Sequence, residues 1–467
     1  MHENTQEITD IILKAAKKAQ KETNGEPEPA MTQPLQWPVE CTIGPGLEGG
    51  IACETKIGYV NGSKGWLIYR GYNIFDLCAK SSYEEVSYLL LHGSLPTSRA
   101  FQIFKNKLTD YRYLTKTLRL LMGFPIEDMN TMGALRMGVS MMRQEFTFRD
   151  QEEGLEYGEI ISSDEDSIPM EVKPWGDKHA IYEFNNTDVP HKSTLDENLE
   201  EAFGTEACYH LIAGVSTIAA AVTRVRQGRM PLEPDPDLSH AGNLLYMMTG
   251  KRPNAVEERV MDVALILHAD HGMNASTFSA MVVASTQSDI YFSVGSGIAA
   301  LNGPLHGGAN EQVMQMLEEI GSPDNVKNWL EKTLKKKGKI PGFGHRVYKA
   351  YDPRARVLGP MAKFLAKKNS KARNIFSIAK ELEKQMTERL GSQKKIFPNV
   401  DFYSGIVYSC LGIPSDMFTP IFAVSRVAGW TARVHEYLHN NRIFRPRAMY
   451  TGEFNKELIP IKKRSKQ

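Results

Sequence analysis

The run CYHLIAGVSTIAAAVTRVRQGR, residues 208–229, constrains the fold more than any other stretch of this chain. Its small apolar face suits tight helix–helix packing, so other helices have to surround it. It belongs to a series. Long segments with apolar residues at helical spacing run from Tyr111 to Met142, and further helices are expected over Asn243–Thr249, Ala255–His268, Asn325–Leu334 and Pro360–Leu390. A final helix contains Ile421–Leu438. Sustained strand alternation does not occur in this body. Only ETKIGYVNGSKGWLIYRGYNI, from Glu54, holds β-prone runs, on either side of the hairpin signal Asn61-Gly62. Ser82 reads as the N-cap of a helix through Tyr88–Leu91 closed by Gly93, and Pro96-Thr97-Ser98 opens another toward Tyr111. The expected fold class is mostly α-helical with a short N-terminal β-hairpin.

A length of 467 residues gives room for two to three domains. A net charge of +1 exerts no global pull toward nucleic acid or a membrane surface. No apolar run is expected to approach the roughly 20 residues of a membrane helix. Glu3, Glu7 and Asp10, with no apolar h-region, argue against a secretory signal or transit peptide, and a cytoplasmic location is expected. Cys41, Cys53, Cys78, Cys208 and Cys410 form no CxxC pair and are expected as reduced thiols, not disulfides or a zinc site. Glu7–Gln20 is expected as a short basic helix and the Pro-rich Asn24–Pro38 as a mobile leader. Residues 150–195 read as an acidic, solvated surface insertion, in which Tyr157, Trp175, Tyr182 and Phe184 leave room for a small hairpin. The basic tail Lys462-Lys463-Arg464-Ser465-Lys466 is expected to fray.

Polar residues that a helical core would not ask for gather in five places. In GIAALNGPLHGGANEQVMQMLEEI (297–320), His306 follows the breaker Asn302-Gly303-Pro304 and precedes a helix from Ala309. The partial positive charge of that helix end disfavours a second proton on the imidazole. A neutral imidazole there can donate one N–H to a developing oxyanion such as an enolate. A capping or packing histidine is the alternative. In VALILHADHGMNAS (263–276), an apolar helix ends in His268, Asp270 and His271, with Gly272 as stop. Histidines at a helix C-terminus suit its dipole, and their spacing is not the i, i+4 of two ligands on one helical face.

In KIPGFGHRVYKAYDPRARVL (339–358), Pro341, Gly342 and Gly344 make a loop ending at His345, with Arg346, Lys349, Arg354 and Arg356 beyond. Main-chain N–H groups with flanking cations suit a phosphorylated nucleotide such as coenzyme A, although the upstream lysines 332–339 also fit a solvated helix end. In FPNVDFYSGIVYSCLGIP (397–414), Asp401 sits among apolar and aromatic residues. Burial would raise its pKa and make it a stronger base, and it could equally cap the helix through Ile406–Leu411. In AVSRVAGWTARVHEYL and IFRPRAMY, Arg426 lies on an apolar helix face and Arg445 in a strand-like segment. Either their stems pack while their heads reach water, or they are buried and need an anion. With no matching acids in these motifs, a carboxylate ligand is the natural bidentate partner. Two neutral imidazoles, a carboxylate base and an arginine cluster fit carbon–carbon bond formation at the α-carbon of an acyl thioester.

In these motifs the chain resembles citrate synthase, of the citrate/2-methylcitrate synthase family. ALILHADHGMNAS, LNGPLHGGANEQV, PGFGHRVYKAYDPRA, NVDFYSG, FAVSRVAGW and RPRAMYTG occur in the family's order, and IACETKIGYVNGSKGWLIYRGY and YLLLHGSLPT match its N-terminal region. The resemblance spans Leu47–Gly452 apart from 150–195. It implies a two-domain, mostly helical homodimer with a large domain and a small mobile one. The expected division is a leader at 1–46, partly disordered, the large domain at 47–306 and 410–467, and the small domain at 307–409. It implies condensation of acetyl-CoA with oxaloacetate and hydrolysis of citryl-CoA, a step of the tricarboxylic acid cycle, with no cofactor and no metal. His306 would hold the enolate, Asp401 would abstract the methyl proton, and His345 would bind and polarise the oxaloacetate carbonyl. His271, Arg354 and Arg426 would bind oxaloacetate, joined by Arg445 from the second subunit. Pro341, Gly342, Phe343, Gly344 and Lys349 would lie along coenzyme A. The acidic insertion lies outside the family core, and the leader lacks the zinc-binding or β-rich character of larger, NADH-regulated members.

Four alternatives remain open at this level. A 2-methylcitrate synthase would use propionyl-CoA with the same residues, since one methylene is worth only about 1–3 kcal/mol. A citryl-CoA lyase would run the chemistry in the other direction. The histidines could instead serve a metal-dependent hydrolase, or the fold could be a non-catalytic helical interaction protein.

Overall fold

The computed structural model describes residues 3–26, 36–152, 204–367, 369–391, 394–461 and 464. Most of the acidic segment 150–195, with its four aromatic residues, the middle of the Pro-rich leader and most of the basic tail lie outside the described residues.

Helix α1 (Glu3–Glu22) precedes an antiparallel sheet of β1 (Gly58–Asn61), β2 (Trp66–Tyr69) and β3 (Tyr72–Asn73), in that order. Gly58 pairs with Tyr69 and Asn61 with Trp66, so the hairpin loop is Gly62–Gly65 and not a two-residue Asn-Gly turn. Gly62 is required for a different reason. A Cβ there would lie 2.1 Å from the Val347 carbonyl oxygen. The N–H groups of Lys349 and Ala350 donate to its carbonyl at 2.9 and 3.1 Å, so the hairpin tip holds the loop that follows His345.

Helices α2 (Ile74–Lys80), α3 (Tyr83–His92), α4 (Ser98–Asp110), α5 (Thr115–Leu121) and α6 (Thr131–Glu152) come next. Ser82 Oγ accepts the Glu85 N–H, Gly93 ends α3 with φ +83°, and Thr97 caps α4, as the sequence signals. The remaining helices are α7 (Thr205–Arg226), α8 (His240–Thr249), α9 (Ala255–His268), α10 (Ala275–Ser285), α11 (Ile290–Leu301), α12 (Ala309–Ile320), α13 (Val326–Lys335), α14 (Pro353–Ala366), α15 (Ser370–Met386), α16 (Val400–Cys410) and α17 (Phe418–Leu438).

Helix α7 is buried from Ala207 to Thr223 and packs on α6, α8 and α17. By length and hydropathy it could cross a membrane, contrary to expectation, but its face-to-face enclosure is that of a core helix. The stretch expected as one helical run from Pro360 to Leu390 is two helices. Asp352 caps α14, with Pro353 in its first turn, which sets the start upstream of Pro360, and Asn369 caps α15. Helices α10 and α11 pack on each other and on α17, whereas α12, α14 and α15 all pack on α16. Helix α1 is longer than the expected basic helix, and its Ile8, Ile12, Ala15 and Ala19 stripe is buried against α2, α9 and α14. Arg445 lies in an irregular exposed segment and not in a strand.

Candidate active site

His306 occupies a turn between α11 and α12. Its N–H and that of Gly307 both donate to the Gly303 carbonyl at 2.9 Å. Gly307 packs so closely that a Cβ would meet the Leu301 carbonyl oxygen at 2.0 Å, and Gly308 takes φ +77° as the N-cap of α12. His306 Nε2 accepts the main-chain N–H of Ser276 at 3.2 Å, with Ser276 Oγ at 2.8 Å. A backbone N–H can only donate, so Nε2 is the bare nitrogen and Nδ1 carries the proton. Burial, and then the Arg426 charge, push the imidazole down to about 4. At neutral pH it is an uncharged donor through Nδ1.

His345 has the opposite tautomer. Its Nδ1 accepts the N–H groups of Val347 and Tyr348 at 3.0 and 3.1 Å, which leaves the proton on Nε2. Burial and Arg354 hold it at about 4. The preceding loop is fastened to the segment before Asp401. Gly344 N–H donates to Phe397 O, Asn399 N–H to Gly342 O, and Asn399 Nδ2 to Gly344 O, each at 2.9 Å. Gly342 (φ +80°) is pressed between Phe402 and Val313, whereas Gly344 (φ +79°) faces open space.

Asn399, not Asp401, caps α16: its side chain accepts the Asp401 N–H. That leaves the Asp401 carboxylate free. It makes no hydrogen bond or ion pair among the described residues, and desolvation pushes it up to about 6 against the lowering pull of Arg354. A carboxylate without partners, half-buried near two arginines, is a competent general base at neutral pH.

The arginines differ in their partners. Asp352 holds Arg354 in a bidentate pair, Nε–Oδ1 3.0 Å and Nη2–Oδ2 2.8 Å, and also accepts the Val400 N–H at 3.1 Å. A second buried bidentate pair joins Arg433 to Asp270, both contacts 2.7 Å. Arg426 differs. It is buried, its Nε donates to the His268 carbonyl at 2.5 Å, and it forms no ion pair among the described residues. Desolvation drives it down to about 10, partly offset by Asp270. It is therefore a buried cation with an unmet need for an anion.

Neighbouring charges tie these groups into one centre. His306 senses Arg426, Asp401 senses Arg354 and Arg426, and His345 senses Arg354. His271 stands 5.2 Å from His345, ring to ring, and its Nε2 is 3.3 Å from the Tyr348 hydroxyl; burial and Arg354 hold it well below the usual histidine range. Lys349 lies exposed beside this centre, with its backbone on Gly62. Arg445 is not brought in. It is exposed and makes no ion pair among the described residues. Sequence reasoning did not single out Ser276, Asp352 or Arg433. For Asp352 the signal was present, as an Asp-Pro cap two residues before Arg354. Asp270, read as a helix-end residue, serves Arg433. Among the described residues no three of His, Cys, Asp and Glu converge as metal ligands.

A helical body that surrounds two neutral imidazoles, a free carboxylate and an unpaired buried arginine defines a site for acid–base chemistry on an anionic carbonyl compound. The family described as citrate synthase, C-terminal domain, matches residues 46–447, and the chain belongs to it. It is a transferase of the citrate (Si)-synthase type. The chain is 41% identical to the citrate synthase of Deinococcus radiodurans over 422 residues, 90% of this chain and 99% of that protein. The crystal structure of citrate synthase from Pyrobaculum aerophilum matches with TM-score 0.74 and 38% identity, over 93% of this chain and all of that one. A ternary complex of carboxymethyl coenzyme A and oxaloacetate with the Thermoplasma acidophilum citrate synthase matches with TM-score 0.76 and 30% identity, over 91% of this chain and all of that one.

Proposed function

We propose that this chain condenses acetyl-CoA with oxaloacetate and hydrolyses the citryl thioester, and that the centre described above performs both steps. The single observation that supports this most is the pair of complementary tautomers that share their arginine neighbours, Arg426 and Arg354, with a partnerless carboxylate. Asp401 takes the methyl proton of the thioester. Nδ1–H of His306 stabilises the enolate oxygen as its charge develops. Nε2–H of His345 polarises the ketone of oxaloacetate, which the enolate carbon attacks. Arg426 and Arg354, with His271, hold the dicarboxylate, and Arg426 gains the anion that its burial demands.

Residues 307–409 are proposed as a small domain that closes on the rest at 47–306 and 410–467. Closure excludes bulk water and keeps acetyl-CoA from wasteful hydrolysis. Pro341–Gly344 and Lys349 are proposed to line coenzyme A. Arg445 is proposed to act across a homodimer, since it stands exposed and joins no ion pair among the described residues. The work would take place in the cytoplasm.

The test is thiol release from acetyl-CoA with and without oxaloacetate. Oxaloacetate-dependent release supports the proposal, and release indifferent to oxaloacetate contradicts it. Propionyl-CoA run in parallel separates a citrate from a 2-methylcitrate synthase, and a chelator arm, expected to have no effect, separates both from a metal-dependent hydrolase. Mixing an Arg445→Ala variant with an Asp401→Asn variant should restore some activity if the site is shared.

A further inference from the structure

Helix α1 lies outside the residues 46–447 that match the family, yet it is seated where the dicarboxylate site is assembled. Its stripe Ile8, Ile12, Ala15 and Ala19 is buried, and it packs at once on α9 and α14. Both helices lead to residues of the proposed oxaloacetate site. Helix α9 ends at His268, whose carbonyl holds Arg426 and whose chain continues to His271. Helix α14 begins with Pro353 and Arg354. One turn-half further on, Arg356 is nearly buried, stacks its guanidinium 4.5 Å over the Tyr351 ring and pairs with Glu22, the last residue of α1. Glu7, near the other end of α1, approaches Lys367 just past the end of α14 at 4.0 Å. The helix thus lies along α14 with an ion pair at each end and an apolar stripe between.

We propose that α1 is a positioning element for oxaloacetate, which guides how α14 meets α9 when the two parts close, and that Glu22, through Arg356, is the positioning residue that brings Arg354 into register with His271 and Arg426. The proposal rests on the assignment of those three residues to the dicarboxylate. The spacing they reach on closure matters because each arginine N–H has to meet its carboxylate oxygen within fractions of an ångström. The pair at Glu22 is half-exposed and of modest strength, so its effect is graded and not all-or-none.

The experiment compares wild type with Glu22→Gln, Glu22→Asp and Ile12→Ala in the full chain. Oxaloacetate binding is read by calorimetry, and KM for both substrates, kcat and Tm are measured alongside. Glu22→Gln is expected to raise the oxaloacetate Kd and KM about fivefold, with kcat and the acetyl-CoA KM unchanged. Glu22→Asp is expected to recover most of the loss, and Ile12→Ala to move the same constants in the same direction. If the variants lower Tm while oxaloacetate Kd and KM stay at wild-type values, α1 is only structural and the proposal is overturned. A wild-type chain that neither binds oxaloacetate nor releases thiol would overturn the site assignment itself, a result distinct from unchanged constants in an active enzyme.

Discussion

The main-chain N–H of Ser276 fixes which nitrogen of His306 can act, because at 3.2 Å it claims Nε2 and leaves Nδ1 as the sole donor. A main-chain donor cannot reverse its role, so this tautomer persists whatever the substrate does. His306→Ala should therefore lower kcat by about 10²- to 10³-fold, the usual loss of one oxyanion donor, while oxaloacetate binding by calorimetry stays near wild type. A kcat within a few-fold of wild type would remove His306 from the chemistry.

Asp401 predicts the pH dependence. Its carboxyl sits at about 6 and the imidazoles of His306 and His345 at about 4. The acid limb of kcat/KM, which reports the free enzyme, should therefore fall through about 6 as the base becomes protonated, with no separate histidine step between 6 and 7. The same shift costs stability. The folded value lies above the ordinary 3.8, so the folded chain holds that proton more tightly, and stability falls as pH rises from about 4 through about 6. Asp401→Asn should abolish turnover yet stabilise the protein at pH 8 by up to about 3 kcal/mol, a gain that disappears below about pH 4. Urea unfolding of both forms at pH 8 and pH 4 measures it.

How far the sequence discloses this site follows the range of each interaction. Ser82, Thr97 and Gly93 announce their helix ends because a cap is settled within four residues. His306 stands out for the same reason, as a breaker cluster and a helical period meet beside it. Asp352 and Arg354 are two residues apart, and the cap before the proline was legible, although the acid's hold on the arginine depends on how α14 starts. The Asp270–Arg433 pair joins α17 to the turn after α9, and no local pattern relates them. The tautomers of His306 and His345 come from amides that tertiary packing delivers, so they are invisible in the chain. Gly62 shows a signal with the wrong cause: a turn-forming pair marks the hairpin, but contact with Val347 is what forbids a side chain.

Arg426 gives a test through stability. Its burial without an ion pair is unfavourable until an anion arrives, whereas Arg354 is already paired in the free protein. Oxaloacetate should therefore raise Tm in the wild type. Arg426→Met should be at least as stable as wild type without ligand, bind oxaloacetate at least about 30-fold more weakly, and lose the ligand-induced rise in Tm. Asp352→Ala should do the reverse, costing about 3–5 kcal/mol by stranding Arg354 and the Val400 N–H. Equal destabilisation by both changes, measured by urea unfolding, would contradict the distinction drawn here.

Two glycines of one loop separate backbone strain from packing. Gly342 and Gly344 share nearly the same left-handed φ, +80° and +79°. An alanine at either position pays a conformational cost of about 1 kcal/mol. At Gly344 nothing lies within 4 Å of the added methyl group, so Gly344→Ala should lose only that amount of stability, and its kinetic effect should fall on the acetyl-CoA KM and not on kcat, since Gly344 is proposed to line coenzyme A. At Gly342 the methyl would stand 2.8 Å from both the Phe402 ring and Val313, and 3.0 Å from the Phe402 Cα. That last contact is backbone and adjoins Asp401, so relief requires α16 or the loop to move. Gly342 also accepts the N–H of Asn399, the residue that caps α16 beneath Asp401. Gly342→Ala should therefore cost about 2–4 kcal/mol and lower kcat by about tenfold or more, because the base shifts relative to His306 and His345. Parallel urea unfolding and steady-state kinetics of the two variants decide the matter, and equal losses in both would show that Asp401 does not depend on this contact.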